Sequence, residues 1–271
     1  MADSAYQEKE LGMSITFGDQ AENHVGMQMI GKGLSRGFSR KDLEKALKRF
    51  VKEGYECELI SLTDALPSHL RKEVKEADAC VLVVRNGVKA FTEVEGLYKE
   101  QEMLNFDKKA KMKGRVVNKK ARWNLCYGEE SQDPDYEGGK GTIVGFEKVP
   151  QLNRVRELLP KYFGELSEGL VAELNVYYDM ESCGIGFHGD AERKVVVCLR
   201  LGASKPLHYQ WYQRSSAVGE RVIIPLREGD IYAMSEKAVG FDWMKKIVPT
   251  LRHATGGDSF VHPAKKRKMN Q

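Results

Sequence analysis

Residues 175–190 read NVYYDMESCGIGFHGD and end in the H-x-D pair His188 and Asp190. In a strand, residues i and i+2 face the same side, roughly 7 Å apart. His188 and Asp190 can therefore aim a nitrogen and an oxygen at one point. A third candidate ligand, His253, follows 63 residues after Asp190 in the string Leu251-Arg252-His253. Two histidines and one carboxylate cover one face of an octahedron and leave three positions open, an arrangement that suits non-haem iron(II) and oxygen. Zinc sites more often use thiolates or three histidines. The five cysteines (Cys57, Cys80, Cys126, Cys183 and Cys198) are scattered, with no C-x-x-C pair, and do not suggest one.

Outward from this stretch, residues 171–178, 195–201, 207–212, 221–226, 230–234 and 247–253 read as short strands separated by Gly, Pro and Ser turns. That texture predicts an antiparallel sandwich or barrel. The first half differs. Ser39 suits an N-cap, and Leu43, Leu47, Phe50 and Val51 form one apolar helical stripe that Gly54 stops. Strands are expected at 14–17, 58–62 and 80–84, and helices at 68–77 and 95–105. Residues 128–141 read as a long loop or linker, and Pro150 opens a helix. The expected class is α+β. An N-terminal α/β module with a basic segment spans 1–128, a β-rich core spans 142–262, and a basic tail spans 263–271.

The chain has 271 residues, 41% hydrophobic and 30% charged, with a net charge of +4. Its length allows a sizeable core. No run of eighteen apolar residues marks a membrane span, and residues 1–12 lack a secretory apolar region. Scattered, odd-numbered cysteines point to reduced thiols in an intracellular compartment, nuclear or cytoplasmic. The charge is clustered. Residues 108–122, KKAKMKGRVVNKKAR, carry eight Lys or Arg and no acid, and run into Trp123. Cations that hold phosphates, interleaved with rings that stack on bases, are what a nucleic-acid surface needs. An amphipathic strand burying Trp123 and Leu125 is the other reading of the same residues. Pro263-Ala264-Lys265-Lys266-Arg267-Lys268 resembles a short nuclear-import signal.

The string Asn175-x-Tyr177, then Ile185-Gly186-x-His188-x-Asp190-x-Glu192, resembles the AlkB-like dioxygenases that depend on iron(II) and 2-oxoglutarate. Residues 225–235, PLREGDIYAMS, resemble that family's G-D-L-x-x-M strand, which precedes its second metal histidine as these precede His253. The likeness covers about 145–256. It implies a double-stranded β-helix (jelly-roll) core, and it implies iron(II), 2-oxoglutarate and O2 as cofactor and cosubstrates, with ascorbate admitted as a reductant. It implies His188, Asp190 and His253 as metal ligands and Asn175 and Tyr177 as 2-oxoglutarate contacts. Glu192 falls at the acidic position that helps orient a nucleobase. Arg115, Arg122 and Trp123 lie upstream, where the family builds a lid over its substrate.

The resemblance stops after His253. The family continues with R-x-N-L-T-F-R, whose first Arg grips the distal carboxylate of 2-oxoglutarate; here ATGGDSFVHPAKKRKMNQ follows. The clamp is then expected from Lys265, Lys266 or Arg267, or from Arg200 on the strand after the H-x-D. Two substrate classes compete. One is a nucleobase in single-stranded or flipped-out nucleic acid, hydroxylated or N-demethylated. The other is a protein or small molecule hydroxylated on the same core.

Overall fold

The computed structural model describes residues 9–74 and 78–262. Its strands are β1 (Gly12–Gly18), β2 (Gln20–Glu22), β3 (Met29–Gly31), β4 (Cys57–Ser61), β5 (Cys80–Val84), β6 (Lys109–Met112), β7 (Arg115–Asn118) and β8 (Trp123–Gly128). They continue with β9 (Ile143–Gly145), β10 (Val171–Tyr177), β11 (Gly184–His188), β12 (Val196–Gly202), β13 (Leu207–Gln213), β14 (Ser216–Ile224), β15 (Ile231–Met234) and β16 (Thr250–Gly256). The α-helices are α1 (Arg40–Lys52), α2 (Ser68–Arg71), α3 (Val94–Glu102), α4 (Pro150–Phe163), α5 (Glu236–Val239) and α6 (Asp258–Val261).

Most strands form two sheets. The larger has eight strands in the order β4-β5-β15-β12-β1-β10-β8-β9; the smaller has four, β11-β16-β13-β14. Neighbours are antiparallel except β8 and β9. The fold is mixed α+β and dominated by antiparallel sheet, and the described residues form no closed barrel.

Period-two patterning explains the layers. On β12, Val197, Leu199 and Leu201 join a core built with Leu43, Ala46 and Phe50 of α1 and Leu152, Val155 and Leu159 of α4. From the opposite face of the large sheet, Val81, Val83, Val196, Cys198, Tyr232 and Met234 meet Leu207, Tyr209, Trp211, Ile224 and Leu251 of the small sheet. Each fully buried Leu or Phe contributes roughly 1.5–3 kcal/mol. The helix α1 starts as its sequence indicates. The Ser39 side chain accepts from the Asp42 backbone N–H, and the Asp42 carboxylate accepts from the Ser39 N–H.

The expected division of the chain requires correction. The stretches 1–128 and 142–262 do not form separate bodies. β1 lies between β10 and β12, and β4, β5 and β8 extend the same sheet. Of the loop and linker readings of 128–141, the loop fits. Asp107, on a neighbouring loop, accepts from the Tyr136 hydroxyl and from the Thr142 N–H and hydroxyl at 2.6–2.7 Å, and so pins this segment to the sheet. The basic tail 263–271 and the end of the expected 68–77 helix lie outside the described residues.

Candidate metal centre

His188 ends β11, and its cross-strand partner on β16 is His253. The pairing register places the two rings 4.5 Å apart, centroid to centroid. Asp190 is not on the strand, as an i, i+2 reading requires. The strand is irregular between Ile185 and His188 and ends there. The chain then turns at Gly189, and Asp190 Oδ1 comes to 3.4 Å from Nε2 of both histidines. The ligand atoms of all three residues lie within 4.8 Å of one another.

The donor set fits a divalent transition metal. An ion with bonds of about 2.0–2.2 Å needs ligand atoms roughly 3–3.5 Å apart. The His188 Nδ1 lies 2.8 Å from the Gly186 carbonyl, so it carries the proton and leaves Nε2 its lone pair. Burial alone would raise the Asp190 carboxyl. His253 and Arg193, with His188 beside them, hold it well below the usual carboxylate range. Burial depresses His188, but Asp190 outweighs it and lifts the ring above its ordinary value. Burial and then the neighbouring His188 charge lower His253.

Gly189 permits this turn. A Cβ there would strike the Gly240 carbonyl oxygen and Trp243. Gly189→Ala should lower stability by about 1–3 kcal/mol through overpacking. It should also weaken cobalt(II) binding by shifting Asp190. A thermal melt and a metal titration check the two effects together.

The opposite wall of the cavity comes from the large sheet. Ser14 pairs with Asn175 on one side and Arg200 on the other, so three polar side chains stand in a row across β10, β1 and β12. The cavity, about 500 Å³, is lined by this row together with Tyr177, Glu192 and the three candidate ligands. Its size suits a small organic ligand. Arg200 is 4% exposed and Lys205 3%. The Arg200 guanidinium lies 5.8 Å from the Tyr177 ring centroid and the Lys205 ammonium 5.4 Å. Both cations donate to backbone carbonyls, Arg200 to Lys205 and Lys205 to Met180. Neither forms an ion pair with a carboxylate among the described residues.

The structure sorts the remaining candidates. Arg122 reaches the cavity and donates to the Asn175 Oδ1, while the Asn175 Nδ2 donates to Glu173 at 3.0 Å. Glu192 lines the cavity with Oε1 held by Arg193. Burial and then the neighbouring Asp190 charge raise its pKa against the pull of Arg193. Trp123 does not face the cavity. The β8–β10 register sets Asn124 beside Asn175 and Trp123 beside Val176, on the helix-covered face. There it stacks on Tyr178 at 4.3 Å with Lys108 4.1 Å away. Arg115 sits on the exposed β6–β7 hairpin, outside the cavity wall. Lys265 lies outside the described residues.

Sequence reading missed Ser14, Glu173, Arg193 and Lys205. Glu173 was within reach, because it shares the i, i+2, i+4 face of Asn175 and Tyr177. Lys119 also gains significance at the rim. Its ammonium donates to Asn23, a cavity residue, and to Asn124. Burial pushes it down to about 8 from 10.5. Between these values the unfolded chain binds more protons than the folded one, so this group adds stability as pH rises from 8 to 10.5. Relative to Lys119→Met, the wild type should therefore gain stability between urea melts at pH 7 and pH 9.5.

A mixed α+β chain with a His-Asp-His cluster between two antiparallel sheets is the class that these observations define. The chain is 49% identical over 249 residues to uncharacterized protein R156 of Acanthamoeba polyphaga mimivirus, across 92% of this chain and 97% of that protein. It belongs to the same family as that viral protein. No family model matches the chain.

Proposed function

We propose that this protein is an iron(II)- and 2-oxoglutarate-dependent dioxygenase of the AlkB-like type, with its two facing sheets arranged as a double-stranded β-helix. The observation that carries the reading is one cavity with two unlike walls. One wall presents His188, Asp190 and His253 as a three-ligand metal face, and the other presents buried Arg200 beside Tyr177 and Ser14. Iron(II) with 2-oxoglutarate and O2 supplies hydroxylation of a C–H bond, with release of succinate and CO2; an N-hydroxymethyl product then loses formaldehyde.

The chain's own residues divide the remaining work. His188 and His253 present Nε2 to the metal, and Asp190 presents Oδ1. Arg200 neutralises the distal carboxylate of 2-oxoglutarate, with the Tyr177 and Ser14 hydroxyls, 3.5 Å apart, alongside. A buried guanidinium suits a carboxylate because the charge-assisted bonds form away from water. Glu192, which lines the cavity with Oε1 held by Arg193, faces the substrate. That substrate is a nucleobase, unstacked or flipped, because an oxidant held inside this cavity cannot reach into a duplex. The exposed β6–β7 hairpin, with Lys109, Lys111 and Arg115, supplies phosphate contacts.

The test is succinate formation with iron(II), screened against methylated single-stranded oligonucleotides and a peptide pool. Succinate and formaldehyde with the oligonucleotides is the expected result. Turnover with peptides alone would replace the nucleobase by a protein substrate. No iron(II) binding and no succinate with either would overturn the reading.

A further inference from the structure

Behind the metal face lies a buried charge cluster that the ligands alone do not require. Arg193 is 4% exposed. Its Nη2 donates to Glu173 Oε2 at 2.8 Å and to Glu192 Oε1 at 2.6 Å. Its Nε donates to Glu192 Oε1 at 3.0 Å and lies 3.5 Å from Asp190 Oδ2. The Asp190 oxygen nearest the histidines is the other one, Oδ1. Glu173 also accepts from the Asn175 amide, whose oxygen accepts from Arg122. One guanidinium thus touches the metal-ligand carboxylate, the glutamate on the substrate wall and, through Glu173, the asparagine on the opposite sheet.

We infer that Arg193 is a positioning residue for the metal centre. It attracts Asp190 Oδ2, so the carboxylate meets the metal through Oδ1 alone, and it fixes the face that Asp190 turns toward the two histidines. The inference rests on the metal assignment above. Its chemistry favours a guanidinium, because a rigid planar fork sets Nε and Nη2 in fixed directions toward the three carboxylates, whereas an ammonium is a point charge on a flexible stem. The cost of burying a cation is met by the three acids around it. Removing Arg193 would leave Asp190, Glu173 and Glu192 crowded without it.

Cobalt(II) binding by the purified full chain is the direct test, followed by titration and by the visible band of the bound ion. Arg193→Lys keeps the charge and is expected to fold. Its cobalt(II) affinity should fall roughly 10–100-fold, the usual effect of losing a partner of a metal ligand. The band should also shift as the freed Oδ2 joins the ion. Arg193→Met combined with Glu173→Gln and Glu192→Gln removes the charge mismatch, so a folded protein is again expected, with the same weakened affinity and shifted band. A merely structural Arg193 would lower the melting temperature while leaving the affinity and the band of both variants at wild-type values, and that result would overturn the inference. Wild-type protein that binds no cobalt(II) would instead remove the metal assignment itself, and the inference with it.

Discussion

Asp190→Asn should abolish iron(II)-dependent succinate formation, reducing it to the level of protein-free controls. It should also lower cobalt(II) affinity by more than any other single change described above. The amide keeps the shape of the carboxylate but removes the negative charge that both histidines share, with Oδ1 at 3.4 Å from each Nε2. His188→Ala should act equally on turnover, because only one imidazole would remain on the metal face. Asn is the better substitute at 190, since it keeps the side chain's shape and an acceptor oxygen near the Arg193 Nε, which Ala would not. Circular dichroism should show both variants folded. Succinate formation at wild-type rates in a folded Asp190→Asn would remove the metal assignment.

The second large effect is expected at Arg200. Arg200→Met should raise the KM for 2-oxoglutarate roughly 10–100-fold, the equivalent of about 1.5–3 kcal/mol for a charge-assisted contact. The maximal rate should change much less. A grip on the distal carboxylate acts alike on the bound ground state and on the transition state, and uniform binding appears in KM. The sequence left Arg200 in competition with Lys265 and its neighbours. Deleting residues 263–271 separates the two: if the tail carries the clamp, the deletion raises KM and Arg200→Met does not. Steady-state kinetics on the two proteins decide between them.

The residues of the His-Asp-His cluster were legible, but their geometry was not, since Asp190 joins it through the turn at Gly189 and not as an i, i+2 neighbour on a strand. His188-x-Asp190 is a short local signal, whereas His253 comes from β16, TLRHATG, and reaches His188 only by cross-strand pairing. The α1 cap at Ser39 and the strand near 195–201 were legible because both are local signals. What could not be read was long-range. The phase of β8, which decides whether Trp123 shares a face with Asn175 or with Val176, is set by its register on β10. Reading ring and cation together put Trp123 at the substrate, whereas the pairing turns it to the opposite face. A turn-rich string at 128–141 resembles a linker until the partners of Asp107 are known. Arg193, flanked by Glu192 and Lys194, resembles surface charge until folding brings Glu173 against it from 20 residues away.

The position of β1 has a consequence for how the molecule is made. This strand leaves the ribosome well before its hydrogen-bonding partners, residues 171–177 and 196–202. Until those have been synthesised, Gly12–Gly18 has neither of its neighbours, and the large sheet cannot form around it. Ser14 acquires its place beside Asn175 and Arg200 only at that late stage. Such pairing across a long stretch of chain folds slowly and leaves apolar strands uncovered in the interval. During synthesis, the demand for chaperone protection should therefore fall on nascent chains that end before residue 202, which still lack the second partner of β1.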